Sequence, residues 1–124
     1  GCRNRGLLSE LLRKSTSCSR FGTHGRRHCG RCVPCMVRAA AFLKAGDRDR
    51  TVYKFADASL RRRNAADDVG AMAGVCLRSH SPEFKAMLAG DFLFADPAEK
   101  ASYVDVFVRG LREVEDYLGW KGIL

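Results

Sequence analysis

The chain has 124 residues, 46% of them hydrophobic, and carries a net charge of +8. That length suits one domain with a modest core and is too short for two. No stretch approaches the roughly 18 uninterrupted apolar residues of a membrane span, and residues 1–20 lack the pattern of an export signal, so a cytoplasmic location is expected.

In chain order, residues 6–14 pair Leu7 with Leu11 and Leu8 with Leu12, the spacing of a short amphipathic helix. Residues 15–32 hold three glycines, several arginines and no periodicity, which describes a loop that needs something to fold it. A helix is predicted over Val33–Ala45, with Pro34 in its first turn, an apolar stripe of Val33, Met36, Val37 and Ala40, and Gly46 as its C-terminal cap. Residues 47–58 read as an irregular connection, in which Val52-Tyr53-Lys54-Phe55 is the best strand candidate.

Another long helix is predicted from Ser59 or Asn64 to Arg78, with Val69, Met72, Ala73 and Cys76 on one side. Ser81 caps the next, with Pro82 at its first position and Gly90 stopping it. Asp96 and Glu99 make a capping box. From there Val104, Phe107, Val108, Leu111, Val114 and Leu118 mark one face of a last helix ending at Gly119. The expected fold class is all-α: a small helical domain with an irregular, cysteine-bearing loop near the N-terminus. Residues 1–58 are expected to form the segment that carries this loop and residues 59–124 a helical C-terminal extension, packed as one domain.

The charge is uneven along this order. Residues 1–63 carry 16 Lys/Arg against 4 Asp/Glu, a balance of +12, whereas residues 64–124 carry 6 against 10, a balance of −4. A basic front half suits an anionic partner such as a nucleotide, a nucleic acid or an acidic domain, or is simply a solvated surface. The abrupt opening Gly1-Cys2-Arg3-Asn4-Arg5 suggests a processed product or a piece of a longer chain.

The chemistry concentrates in Cys18, Cys29, Cys32 and Cys35. Two thiolates in a C-x-x-C turn reach one tetrahedral ion, and a third at the same interval closes a further side. Gly30 and Pro34 shape the turn, while Arg26, Arg27 and Arg31 offset the negative charge of a Zn²⁺ held by four thiolates. A polar, glycine-rich loop buries too little surface to order itself, so the metal supplies its folding energy. Disulfides are disfavoured without an export signal. An iron–sulfur cluster also uses closely spaced cysteines, and redox chemistry from C-x-x-C wants a preceding strand. Structural zinc is the leading reading. His24 and His28 are the spare ligands nearby, His28 being read as a neighbour because four cysteines suffice. Cys76 is read as a core residue, and Cys2 is given no role.

The stretches TSC at 16–18 and CGRCVPCMVRAAAFLKAGDRDRTVY at 29–53 resemble the C-terminal zinc segment of the QueC family. Those enzymes carry S-C, then C-G-x-C-x-x-C-x-x-R, then A-F-x-x-A-G and a D-x-T-x-Y ending. The matching positions here are Ser17 and Cys18; Cys29, Gly30, Cys32, Cys35 and Arg38; Ala41, Phe42, Ala45 and Gly46; and Asp49, Thr51 and Tyr53. The resemblance covers residues 7–53. It implies part of an ATP-pyrophosphatase (PP-loop) enzyme that adenylates a carboxy-deazaguanine and converts it with ammonia to the cyano compound, a precursor of queuosine. It also implies that Cys18, Cys29, Cys32 and Cys35 hold a structural zinc beside the nucleotide-binding domain. No Ser-Gly-Gly-x-Asp-Ser phosphate loop occurs in this sequence, so ATP is expected only through an N-terminal PP-loop domain of the same or a companion chain. The chain also continues well past Tyr53, where the queuosine enzyme is near its end. That longer helical tail is similar to the QueC-like component of Qat-type antiphage systems, in which a deazapurine is attached to a protein.

Three functions compete on this reading. The first is a zinc-bearing region of a QueC-like ATP-dependent enzyme, non-catalytic on its own, with Arg38 set one turn after Cys35 to meet substrate or nucleotide. The alternative for Arg38 is a surface arginine or one bonding the loop's carbonyls. The second is a free-standing zinc knuckle binding nucleic acid, for which the loop offers only Phe21 among its arginines as a stacking platform. The third is a protein-interaction module using Phe84, Phe92 and Phe94, residues that equally suit an ordinary core. A deazaguanine substrate or a protein partner fits the first reading, and nucleic acid is not expected.

Overall fold

The computed structural model describes residues 4–55, 67–93 and 96–124. Among these residues the chain forms five helices: α1 (Arg5–Lys14), α2 (Val33–Ala45), α3 (Val69–Arg78), α4 (Pro82–Asp91) and α5 (Pro97–Trp120). No strand occurs among the described residues; the Val52–Phe55 candidate contributes one isolated parallel bridge, from Tyr53 to His28. The fold is all-α, and no described helix is long and apolar enough to cross a membrane.

Helix α1 starts where Asn4 Oδ1 accepts the Leu7 amide at 2.9 Å. Its leucines Leu7, Leu8 and Leu11 remain exposed. Helix α2 ends at Gly46, whose φ of +66° lets its own amide reach Leu43 O and the Asp47 amide reach Phe42 O. The buried face of α2 is Cys35, Met36, Ala39 and Ala40; Val33 and Val37 point outward, against the predicted stripe. The reason is local. Cys35 has to turn toward the other cysteines, and that rotation carries Met36, Ala39 and Ala40 into the core while Val33 and Val37 swing to solvent.

Helix α3 does not run in from Asn64 or Ser59. Residues 56–66 lie outside the described residues, and the helix begins only at Val69. Asp67 Oδ1 accepts the Val69 amide at 2.9 Å, the kind of side-chain bond that competes with helical continuation. From Val69 onward the expected face is buried, with Val69, Met72, Ala73 and Cys76 all inside. The Cys76 thiol donates to Leu111 O at 3.6 Å, as a packed core thiol does.

Ser81 Oγ caps α4 by accepting the Phe84 amide at 3.1 Å. Gly90 stays helical, and the chain leaves the helix only at Phe92, whose ring stacks on Tyr103 at 5.3 Å. At α5 the Asp96–Glu99 capping box is complete: Asp96 Oδ1 accepts the Glu99 amide at 2.9 Å and Glu99 Oε2 accepts the Asp96 amide at 3.4 Å. Gly119 does not end α5. The left-handed residue is Gly122, with φ +68°, and the Ile123 amide bonds back to Leu118 O at 2.9 Å, which brings Ile123 against the core.

Helix α5 is the axis on which α2, α3 and α4 pack. Met36 and Ala40 of α2, Val69 and Cys76 of α3, and Val114 and Leu118 of α5 meet in one hydrophobic cluster, so the two halves of the chain share a core. Phe84 packs against that core, and with Phe92 stacked on Tyr103 these aromatics are structural; Phe94 lies outside the described residues. On α5, Phe107 of the predicted face stays exposed.

Candidate metal centre

The sulfurs of Cys18, Cys29, Cys32 and Cys35 all lie within 4.8 Å of one another, and all four residues are buried. Cys29 Sγ is 4.0 Å from Cys35 Sγ, and Cys32 Sγ is 3.9 Å from Cys18 Sγ. A tetrahedron with metal–sulfur bonds of about 2.3 Å has edges of about 3.8 Å, so the cluster already has close to the dimensions of a tetrathiolate zinc site. A disulfide needs sulfurs about 2 Å apart, and the five described cysteines are all free.

The loop aims backbone amides at these sulfurs. Cys18 Sγ accepts from the Arg20 and Cys29 amides at 3.4 and 3.3 Å, and Cys29 Sγ from the Arg31 and Cys32 amides at 3.3 and 3.2 Å. Such donors favour the thiolate, the form that binds a metal. Burial resists ionisation of Cys32, but hydrogen bonds from Ser19 and Cys35 outweigh it and bring that thiol down to about 7. Burial pushes the Cys29 and Cys35 thiols up. Cys32 is thus poised to ionise ahead of Cys29 and Cys35.

His28 stands beside the cluster rather than in it. Its Nδ1 is 3.9 Å from Cys35 Sγ, and its ring packs edge-on to Phe21 and Tyr53 at 5.6 and 6.1 Å. Burial, then the Arg38 charge, lowers its pKa and keeps the ring neutral. His24 is turned to Lys54 and Phe55.

Residues 53–55 close over the loop, with the Lys54 amide bonded to His28 O at 2.8 Å and the Phe55 amide to Cys29 O at 3.1 Å. This close approach explains Gly30. Its φ is +83°, and a Cβ there would lie 2.6 Å from Phe55 O and 3.2 Å from Tyr53 Cβ. Gly30→Ala is therefore expected to destabilise the chain by about 1–3 kcal/mol from backbone strain, with the steric clash adding to it. A urea midpoint within error of the parent would refute this.

Two acidic residues lock the loop from a distance. The buried Arg31 guanidinium pairs with Asp67, while Arg20 Nη2 reaches Asp68 Oδ1 at 3.2 Å and the Val33 amide reaches Asp68 Oδ2 at 3.2 Å. Sequence reasoning does not find this lock. Asp67 and Asp68 fall inside the helix expected from Ser59 or Asn64, and nothing in their spacing points to arginines so far back in the chain.

Arg38 is placed as a strap. Its guanidinium donates to Thr51 Oγ1 and Ser15 Oγ, each at 2.9 Å, and to Leu12 O, and it lies over the Phe42 ring at 5.3 Å. The C-terminal end of α1 is thereby tied to α2 and to the following connection. Beside this strap is a cleft of about 540 Å³ whose lining includes Arg13, Lys14, Arg26, Arg27 and Arg50.

The 7-cyano-7-deazaguanine synthase of Methanocaldococcus jannaschii is 46% identical to this chain over 44 residues, 36% of this chain and 19% of its own length. That of Brucella anthropi is 44% identical over 52 residues, 40% of this chain and 21% of its own. The chain thus spans about a fifth of the length of the curated relatives it matches. No protein-family model matches the sequence, and no solved structure does. With its cysteines gathered into a buried cluster of zinc-site dimensions, this chain carries a QueC-like segment, similar in sequence to part of the 7-cyano-7-deazaguanine synthases.

Proposed function

We propose that this chain is the zinc-bearing C-terminal region of a QueC-like, ATP-dependent enzyme acting in deazapurine chemistry, and that it performs no catalysis by itself. The observation carrying this reading is the four-sulfur cluster set in a segment similar to deazaguanine synthases. A Zn²⁺ held by Cys18, Cys29, Cys32 and Cys35 would have no open position for water or substrate, which makes its role structural. Two surfaces support a larger assembly. The exposed Leu7, Leu8 and Leu11 of α1 suit an apolar companion surface, and the basic cleft beside Arg38 suits phosphates carried by it. The companion is an N-terminal PP-loop domain, in the same chain or another, and ATP enters through it, because residues 1–124 contain no glycine-rich phosphate loop. In this reading Arg38 holds the α1–α2 corner that borders the cleft, within reach of a nucleotide or substrate brought there.

The purified chain is expected to show no micromolar affinity for ATP by calorimetry. Together with its PP-loop domain and a carboxy-deazapurine it should cleave ATP to AMP and pyrophosphate. In that assembly Arg38→Ala should lower turnover more than zinc content if Arg38 reaches substrate; equal loss of both assigns it to structure. Micromolar ATP binding by the chain by itself would overturn the proposal. So would submicromolar RNA binding that survives physiological salt and falls on Phe21→Ala, which is the behaviour of a zinc knuckle.

A further inference from the structure

The path of an ion to the four sulfurs is closed in this fold. Cys32 and Cys35 are 0% exposed and Cys18, the most open of the four, only 7%, so metal enters or leaves only when part of the chain moves. The parts around the cluster differ in what their movement costs. Helix α2 carries Cys35 and is anchored in the main core by Met36 and Ala40. The loop carries Cys18, Cys29 and Cys32 and is tied back by the buried Arg31–Asp67 pair. Residues 53–55 carry none of the four sulfurs, so lifting them breaks no metal–sulfur bond and unwinds no described helix. Yet among the described residues Tyr53 and Phe55 are two of the three rings packed on the cluster.

Few bonds hold this segment down. The Lys54 and Phe55 amides bond to the His28 and Cys29 carbonyls, and Val52 before them is 70% exposed. A further grip comes from the side, through Asp49. Its Oδ2 accepts the Tyr53 hydroxyl at 2.6 Å, the length of a charge-assisted O–H···O⁻ bond. Its Oδ1 accepts the Thr51 amide at 2.9 Å, and Thr51 Oγ1 accepts Arg38 Nε from α2, also at 2.9 Å. One carboxylate thus fastens a ring that covers the cluster to a stretch of chain already pinned to α2. A local opening that leaves the core intact costs less than unfolding the whole chain. Parting two backbone bonds, the Asp49–Tyr53 bond and the contacts of two rings is an opening of that kind.

We propose that residues 53–55 form a cover that opens as a unit to admit and release the metal ion, with the Asp49 carboxylate on the Tyr53 hydroxyl as its catch. This assignment goes beyond the function proposed above: it needs the four-cysteine site but not the enzyme reading.

The test mixes the zinc-loaded chain with excess pyridylazoresorcinol, which changes colour as it takes Zn²⁺ while the freed thiolates take protons from solvent. The parent should release zinc about tenfold faster, or more, than it unfolds globally, the unfolding rate being read in urea from its sole tryptophan and extrapolated to water. Tyr53→Phe keeps the ring and loses the hydroxyl, and Asp49→Asn keeps the shape and loses the charge; each should speed release by about tenfold. The double variant should stay within about twofold of the faster single one, since both remove the same bond. Zinc content should stay close to one per chain throughout. Ser81→Ala, which removes the α4 cap, destabilises the chain elsewhere and should leave the release rate unchanged. In the loaded chain the Lys54 and Phe55 amides should exchange faster in Tyr53→Phe, while those of α3 and α5 keep their protection. Release no faster than global unfolding overturns the proposal, as do parent-like rates in both single variants or an equal acceleration by Ser81→Ala. A parent chain that takes up no zinc overturns this proposal and the structural-zinc reading together, whereas full zinc content with unaltered rates overturns the cover alone.

Discussion

Chelating the metal from the purified chain, or replacing Cys29 by serine, is expected to unfold residues 15–32 while the α2–α5 core largely survives. Cys29 is 1% exposed and its sulfur accepts the Arg31 and Cys32 amides, so the turn at residues 29–32 is organised around it. Beyond the cysteines, among the described residues only Phe21, Tyr53 and Phe55 pack against the loop's own cluster, each partly exposed. That is too little apolar area to offset the conformational entropy of ordering so many residues. A structural zinc supplies on the order of 10–16 kcal/mol in small zinc domains, the largest single contribution available here. The core cluster of Met36, Val69, Val114 and Leu118 buries apolar area of its own, so it is expected to outlast the loop even as α2 loses the hold of Cys35.

Metal analysis should give close to one zinc per chain, and Cys29→Ser close to none. Amide hydrogen exchange should show protection lost at residues 15–32 and 53–55 and retained in α3 and α5. Because the ligands must be deprotonated, protons compete with the metal, so zinc affinity falls as pH falls. A chelated chain with unchanged protection in the loop, or disulfides found among these four cysteines, would defeat the idea.

Breaking the Arg31–Asp67 pair is expected to be the most costly single change outside the cysteines. The two side chains are 4% and 10% exposed, so removing either leaves the other charged group buried. Arg31→Ala, which strands the buried Asp67 carboxylate, should lose about 3–5 kcal/mol, against the ~1 kcal/mol or less of an exposed pair such as Lys14 with Glu10. Arg31→Met combined with Asp67→Leu should lose markedly less than the sum of the two single losses, because the carboxylate then goes together with the guanidinium it pairs with. Urea denaturation of the four proteins measures this directly. Single losses below ~1 kcal/mol would show that the pair behaves as a surface contact. The Arg31 backbone also accepts the Asp68 amide at 3.3 Å, so the single variants should loosen the start of α3 along with the loop.

The features legible in the sequence are those whose partners lie within a turn or two of one another. Ser81 capping α4, Asp96 with Glu99 opening α5, and Gly46 closing α2 each involve residues three to five apart, and the structure forms all of them. The buried face of α3 follows from helical periodicity in the same way. The cysteine spacing belongs here too, since a C-x-x-C turn brings its own sulfurs together whatever surrounds it.

Where two local signals compete, the outcome rests with contacts made elsewhere. Gly119 reads as the stop for α5, yet the chain turns at Gly122 because that returns Ile123 to the core. Val33 and Val37 lose the inner face of α2 because Cys35 must reach Cys29 across the loop. Residues 36 positions apart, such as Arg31 and Asp67, leave no periodic trace, and neither does the strap from Arg38 to Leu12, Ser15 and Thr51.

By itself the sequence determined an all-α chain, the caps at Gly46, Ser81 and Asp96, and the set of four cysteines that can meet at one ion. Only the tertiary structure decided which face α2 turns inward, that Asp67 rather than solvent neutralises Arg31, and that Tyr117 and Trp120 stand opposite Phe42 and Tyr53 across one cleft. The reason is that caps and turns are fixed by neighbours along the chain. Pairings across the fold depend instead on how α2 and α3 dock on α5, an arrangement chosen by the burial of the whole core at once.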